Sequence, residues 1–222
     1  QGFLSLFIFW TSQSLVLAGH DVMIPIGVYD FATEPVPKKD QWVTFGVPIP
    51  AWAQLRDVSN LVLVGATVSQ VEIVATWPNG CARWLAVDAV VDLPEDTDRV
   101  ALHLTTGQQP EGFAPIATET EAGIVMDSGK LKLLVSSDGR FPVGEVFVDQ
   151  ERVALGLCEL WNVARAEVSI ERNGPAQATV LIRDGEVRYR VALAYGASVI
   201  QLETSSLAEA EGTATLYTLD SA

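Results

Sequence analysis

Short apolar or alternating runs recur along the chain between turn signals, which is the pattern of a β protein. Trp42–Val47 is one such run, closed by Pro48-Ile49-Pro50, whose two prolines remove ladder donors. Leu61–Val64 and Gln70–Trp77 follow, separated by Gly65. Pro78-Asn79-Gly80 then marks a tight turn, because Pro presets φ and Asn-Gly tolerates positive φ. Arg83–Val91 runs to a second turn cluster, Asp92-Leu93-Pro94-Glu95-Asp96. Arg99–Thr105 alternates cleanly, with Val100, Leu102 and Leu104 on one face and Ala101, His103 and Thr105 on the other.

The texture changes between Thr106 and Gly123. Gly107-Gln108-Gln109-Pro110-Glu111-Gly112 and Pro115 read as a linker, and Thr118–Glu121 is polar, so a domain boundary is expected here. Beyond it, Ile124–Met126, Lys130–Val135, Val143–Val148, Glu167–Glu171, Ala178–Ile182, Val187–Ala194, Val199–Glu203 and Thr213–Leu219 are expected strands. Asp184-Gly185, between two of them, is a hairpin signal. No stretch carries a helical stripe over three turns; Leu155–Ala164 and Leu207–Glu211 hold single turns at most. The expected fold class is all-β with little helix: a small barrel over residues 21–108, then a β-sandwich-like domain over 117–222. That second domain is read as incomplete, because the chain stops directly after an apparent strand.

The first residues differ from the rest. Gln1–Gly19 holds no Asp, Glu, Lys or Arg, and Phe3–Trp10 is an unbroken apolar run. Val16-Leu17-Ala18 places small or modest residues where a secretory cleavage site needs them. Thr11-Ser12-Gln13-Ser14 interrupts the run well short of the roughly 20 apolar residues of a bilayer span. Residues 1–18 therefore read as a signal-peptide remnant, which implies a secreted, extracellular or periplasmic protein with no membrane in its mature form. The alternatives are a buried strand or helix kept in the fold and an apolar strand donated to a neighbouring subunit.

Composition narrows the partners. The 222 residues include 14 Lys+Arg against 28 Asp+Glu, a formal net charge of −14, and 49% are hydrophobic. Such a chain can bury a core. Its acid excess excludes broad nucleic-acid binding, which needs a Lys/Arg-lined surface to displace counterions, and disfavours an anionic membrane.

Candidate chemistry is sparse. Cys81 and Cys158 stand on either side of the expected boundary. In an oxidising compartment they can form a disulfide, worth about 4–5 kcal/mol for so long a loop; two buried thiols are the equal alternative. With only His20 and His103 to add, they make no zinc site, and both histidines read as structural. Asp88, Asp92, Glu95, Asp96 and Asp98 lack the spacing of a Ca²⁺ loop and read as a solvated turn. Neither a Gly-x-Ser-x-Gly nucleophile elbow nor a His-Glu-x-x-His pair nor a phosphate-cradling loop is present. No catalytic residue, metal or cofactor is therefore expected. Trp52, Trp77 and Trp84 sit in turn-rich chain, where indoles either stack on sugar rings or fill the core.

Val43-Thr44-Phe45-Gly46-Val47-Pro48-Ile49-Pro50, then Gln70, then Thr76-Trp77-Pro78-Asn79-Gly80-Cys81-Ala82-Arg83-Trp84-Leu85 form a longer constellation. It resembles the N-terminal RIFT-barrel β region of exo-acting rhamnogalacturonan lyases and related rhamnose–glucuronate lyases. There a TFGVPxP strand-turn precedes a Gln and then W-x-D-G-S-x-R-W; here Asn79 replaces the Asp and Cys81 the Ser. Met126-Asp127-Ser128-Gly129-Lys130-Leu131 and Asn173-Gly174-Pro175 are similar to pieces of the family's second β domain. The likeness spans roughly Trp42 to Glu203.

The resemblance implies a non-catalytic β scaffold portion of a secreted polysaccharide lyase-like protein acting on rhamnose- and uronate-containing glycans. Its partner is then a C-terminal catalytic domain supplied by the rest of the protein. Abstraction of a sugar C5 proton needs a base, and the resulting enolate needs a cation; the scaffold residues offer neither. Trp52, Trp77, Arg83 and Trp84 are the candidate carbohydrate contacts, Arg83 being able to lie over an indole. The alternative is a secreted structural β protein, an extracellular fibre or surface-assembly subunit that uses its apolar first segment for subunit contacts.

Overall fold

A computed structural model of the chain describes residues 24–29, 38–93, 99–108, 112–137, 145–148, 150–155 and 166–206. These residues are all-β: fifteen strands and one short 3₁₀ turn, in antiparallel sheets. The chain divides into two compact units, Gln1–Phe113 and Ala114–Ala222. The expected strand Thr213–Leu219, His20, Cys158 and the apolar first segment lie outside the described residues.

Unit 1 holds β1 (Ile24–Tyr29), β2 (Lys38–Pro48), β3 (Leu61–Val64), β4 (Val68–Thr76), β5 (Ala82–Leu93) and β6 (Arg99–Thr106). They pair as two three-stranded sheets, β1-β6-β3 and β2-β5-β4. Both sheets turn one face into a common core. Val43, Phe45 and Val47 of β2, Leu85, Val87 and Ala89 of β5, and Leu102 and Leu104 of β6 alternate inward at the two-residue period of extended chain. Each buried aliphatic or aromatic side chain of this kind contributes about 1.5–3 kcal/mol by leaving water.

β1 is not among the strands expected from the sequence, and it contains Pro25 and Gly27. It is an edge strand among the described residues: Pro25 pairs with His103 of β6, and β1 has no second described neighbour in its sheet, so the missing N–H is tolerated.

Unit 2 holds β7 (Ala117–Thr120), β8 (Gly123–Asp127), β9 (Leu131–Ser136), β10 (Glu145–Val148), β11 (Glu151–Leu155), β12 (Glu167–Asn173), β13 (Gln177–Asp184), β14 (Val187–Ala194) and β15 (Gln201–Ser206). A five-stranded meander, β11-β10-β9-β8-β7, and a four-stranded meander, β12-β13-β14-β15, bury their inner faces in one core. Ile124, Met126, Leu133, Val135 and Val146 come from the first sheet, and Val180, Ile182, Val191, Leu193 and Leu202 from the second.

Two polar ties fasten the sheets of this sandwich. Asn173 acts as a strand in miniature: its Oδ1 accepts from the Ala117 amide at 3.0 Å, and its Nδ2 donates to the Ala117 carbonyl at 2.8 Å. Buried Ser128 accepts from the amides of Leu131 (2.9 Å) and Lys130 (3.2 Å), with the carbonyls of Ala197 (2.8 Å) and Leu131 (3.1 Å) in reach of its one proton. β7 falls inside the stretch read as linker. Three of its four residues face solvent at a sheet edge, so no alternation betrays it.

Candidate functional site

The sequence-derived site residues fall at one end of the β2-β5-β4 sheet. β4 and β5 are joined by Trp77–Cys81, whose tip is the three-residue hairpin loop Pro78-Asn79-Gly80. Gly80 N–H donates to the Trp77 carbonyl at 2.8 Å, and Trp77 N–H to the Cys81 carbonyl at 2.8 Å. Gly80 supplies the positive φ (+79°), and Asn79 Oδ1 accepts from the Cys81 amide at 3.0 Å. This is the type I turn with a following left-handed residue that suits such loops.

The β2–β3 connection wraps this hairpin. Ile49 N–H donates to the Arg83 carbonyl (2.8 Å), Ala82 N–H to the Leu55 carbonyl (2.6 Å), and Arg56 Nη2 to the Asn79 carbonyl (2.8 Å). Trp77 Nε1 donates to the Ile49 carbonyl at 2.9 Å, so this half-buried indole is partly a strut. Further along the connection, the Ser59 backbone and side chain hydrogen-bond the Asp57 carboxylate and hold its pKa below the ordinary range.

Four tryptophan and arginine side chains result at this end. The Arg83 guanidinium lies over the Trp77 ring, 5.0 Å from its centroid, a cation–π arrangement. Trp84 pairs with Pro48 across the sheet and is 41% exposed, while Trp52, on the 3₁₀ turn Ala51–Ala53 just past Pro48, is 60% exposed. None of the three tryptophans fills the core.

Why the Trp84 indole stays outside is visible in its neighbour. A Cβ added to Gly46 would meet Trp84 Cε3 at 3.4 Å, so the ring lies against the one position of β2 that has no side chain. Its place beneath the indole gives a physical reason for glycine at position 46.

Register defines the rest of this outer face. Thr44, Asp88 and Gln70 form one row across β2, β5 and β4, and Gly46, Ala86 and Glu72 form the next. Thr44 Oγ1 donates to Asp88 Oδ1 at 2.6 Å, and Gln70 Nε2 to Glu72 Oε1 at 2.7 Å. Asp88, read from sequence as part of a solvated acidic turn, is instead fully buried on β5. Sequence reasoning also passed over Trp42, which is 39% exposed on this same face. The signal was present: Trp42, Thr44, Gly46 and Pro48 alternate with the inward Val43, Phe45 and Val47.

Cys81 is a buried free thiol; Cys158 lies outside the described residues. His103 is exposed on β6. Among the described residues no three His, Cys, Asp or Glu side chains gather as a metal site, and no helix is long and apolar enough to cross a membrane.

No protein-family model and no curated protein matches the sequence. Among solved structures the chain is similar to an alpha-mannosidase from Enterococcus faecalis V583, with TM-score 0.49 and 11% identity over 82% of this chain and 30% of that one. It is also similar to a protein of glycosyl hydrolase family 38 from Enterococcus faecalis, with TM-score 0.44 and 10% identity over 81% of this chain and 30% of that one. The chain thus spans about a third of the length of these structures.

Proposed function

We propose that this chain is the non-catalytic β scaffold of a carbohydrate-active, polysaccharide lyase-like protein that works outside the cytoplasm on rhamnose- and uronate-containing glycans. In this reading the tryptophan-bearing end of unit 1 touches the glycan, and bond cleavage belongs to a catalytic domain elsewhere in the protein.

The observation that carries the reading is the Trp84 indole, laid against Gly46 with 41% of its surface open and Trp52 on the adjoining turn. A flat aromatic face held on a rigid sheet matches the apolar C–H face of a sugar ring, with little entropy left to lose on binding. Arg83 is steadied by Trp77 and offers donors at the same end. A chain of net charge −14 repels a polyuronate beyond contact range, and salt screens that repulsion only past about 8 Å. The neutral sugars of the glycan are therefore the better match for this surface.

Affinity electrophoresis of the whole chain through gels containing rhamnogalacturonan tests this. Retardation is expected, with Trp84→Ala lowering the affinity about tenfold while the far-ultraviolet circular dichroism stays unchanged. Equal mobility with and without glycan would sink the binding role. The absence of catalysis has its own readout: the purified chain should leave the absorbance of unsaturated uronates flat, and a steady rise would overturn that part.

A further inference from the structure

Unit 2 contains a cleft of about 650 Å³ at the end of its five-stranded sheet, a volume ordinary for small-molecule sites. Asp127, Lys130, Lys132, Phe147 and Gln150 line it, together with backbone of the turn between β8 and β9. Register explains the grouping. Asp127 pairs with Lys132, Lys132 with Phe147, and Phe147 with Arg152, so one row across β8, β9, β10 and β11 presents an acid, a cation, an aromatic ring and a second cation.

The charge distribution makes this row unusual for its chain. The sequence has four lysines, Lys38, Lys39, Lys130 and Lys132, and two of them line this one cleft. Two arginines of unit 2 are matched by acids. Arg190 donates to both oxygens of Glu171 at 2.7 and 3.1 Å, which raises its pKa, and Arg152 meets Glu145 at 3.4 Å. Lys132 forms no ion pair among the described residues, although Asp127 stands opposite it in register. Asp127 Oδ1 is occupied by the Gly129 amide at 2.9 Å.

Gln150 adds an independent mark. It sits in the turn between β10 and β11 with φ +68°, a left-handed conformation that glycine adopts at no steric cost. Gln at this position costs on the order of 1 kcal/mol of backbone strain and keeps an amide at the cleft.

We propose that this cleft binds a carboxylate-bearing six-membered ring: the ammonium groups of Lys132 and Lys130 take the carboxylate, the half-buried Phe147 faces the ring, and Asp127 and Gln150 take hydroxyls where the ring carries them. The site is built from unit 2 residues alone and does not rest on the reading above. An acidic sugar and an aromatic acid share this chemistry, and the assay separates them.

The test is an NMR titration of the isotope-labelled whole chain with D-glucuronate, benzoate and D-glucose. Amide shifts confined to residues 127–132 and 147–152 are expected with a carboxylate, and none with glucose. A larger response to glucuronate identifies an acidic sugar, and a larger response to benzoate an aromatic acid. Lys132→Gln should weaken binding about tenfold, and Lys132→Arg should retain it. No response to either carboxylate, shifts centred elsewhere, an equal response to glucose, or unchanged binding by a folded Lys132→Gln variant would each overturn the proposal. Should that variant misfold, the shift map of the unaltered chain and the Lys130→Gln variant decide.

Discussion

At the scale of single residues, Gly46 and Asp88 show how much one position on this sheet controls. A side chain at 46 competes with the Trp84 ring for the same space. Gly46→Val should therefore lift the indole off the sheet, red-shift the tryptophan emission and weaken glycan retention, while leaving the fold intact because φ at 46 is not left-handed. An unchanged emission spectrum would refute the close packing. Asp88 is a buried carboxylate that accepts the Thr44 hydroxyl at 2.6 Å. Thr44→Val removes that donor at nearly constant volume, and urea unfolding should show a loss of about 1–3 kcal/mol. A loss within error would mean that Asp88 needs nothing from Thr44. The sequence named Trp84 and the acidic run, but it could not say which of those acids is buried. Thr44 and Asp88 are 44 positions apart and meet only through the pairing of β2 with β5.

At the scale of elements, the turns were more legible than the edges. Asn79-Gly80 and Asp184-Gly185 announced their hairpins, and the structure joins β4 to β5 and β13 to β14 there. β1 and β7 were missed: one contains Pro25 and Gly27, and the other exposes three residues of four. Gly123 illustrates a constraint that composition hides. It opens β8 at φ +137°, and a Cβ there would fall onto the Val135 carbonyl oxygen and crowd the Ser137 amide. Gly123→Ala should destabilise unit 2 by more than about 3 kcal/mol, because backbone strain and backbone collision act together. A melting temperature equal to that of the unaltered chain would contradict this. Ser128→Ala tests the tie between the unit 2 sheets more gently. It removes a buried hydroxyl that accepts two amides, and a loss of about 1–3 kcal/mol is expected in urea unfolding.

At the scale of the whole molecule, charge is the dominant long-range term. A net −14 on 222 residues repels itself when counterions are scarce. Raising ionic strength from about 0.01 M to about 0.15 M shortens the screening length from about 30 Å to about 8 Å. The melting temperature should rise by a few degrees over that interval, as differential scanning calorimetry can read; a fall would mean that attractive ion pairs outweigh the repulsion. The same excess of acid sets the selectivity expected of each surface. On the proposed reading the tryptophan end of unit 1 favours neutral sugar faces, whereas in the proposed Lys130 and Lys132 cleft a carboxylate would meet its counter-charge at contact distance, inside the reach of screening.

The division between sequence and tertiary structure follows from what is local. Period-two alternation, turn chemistry and the lack of helical stripes are properties of neighbouring residues, so the all-β class and most strand positions could be read directly from the chain. The polar row of Thr44, Asp88 and Gln70, the indole against Gly46, and the Asp127–Lys132–Phe147–Arg152 row join residues distant in sequence. Strand register alone brings them together. A shift of one residue would turn each of these side chains to the opposite face, so the candidate sites exist only once the sheets have paired.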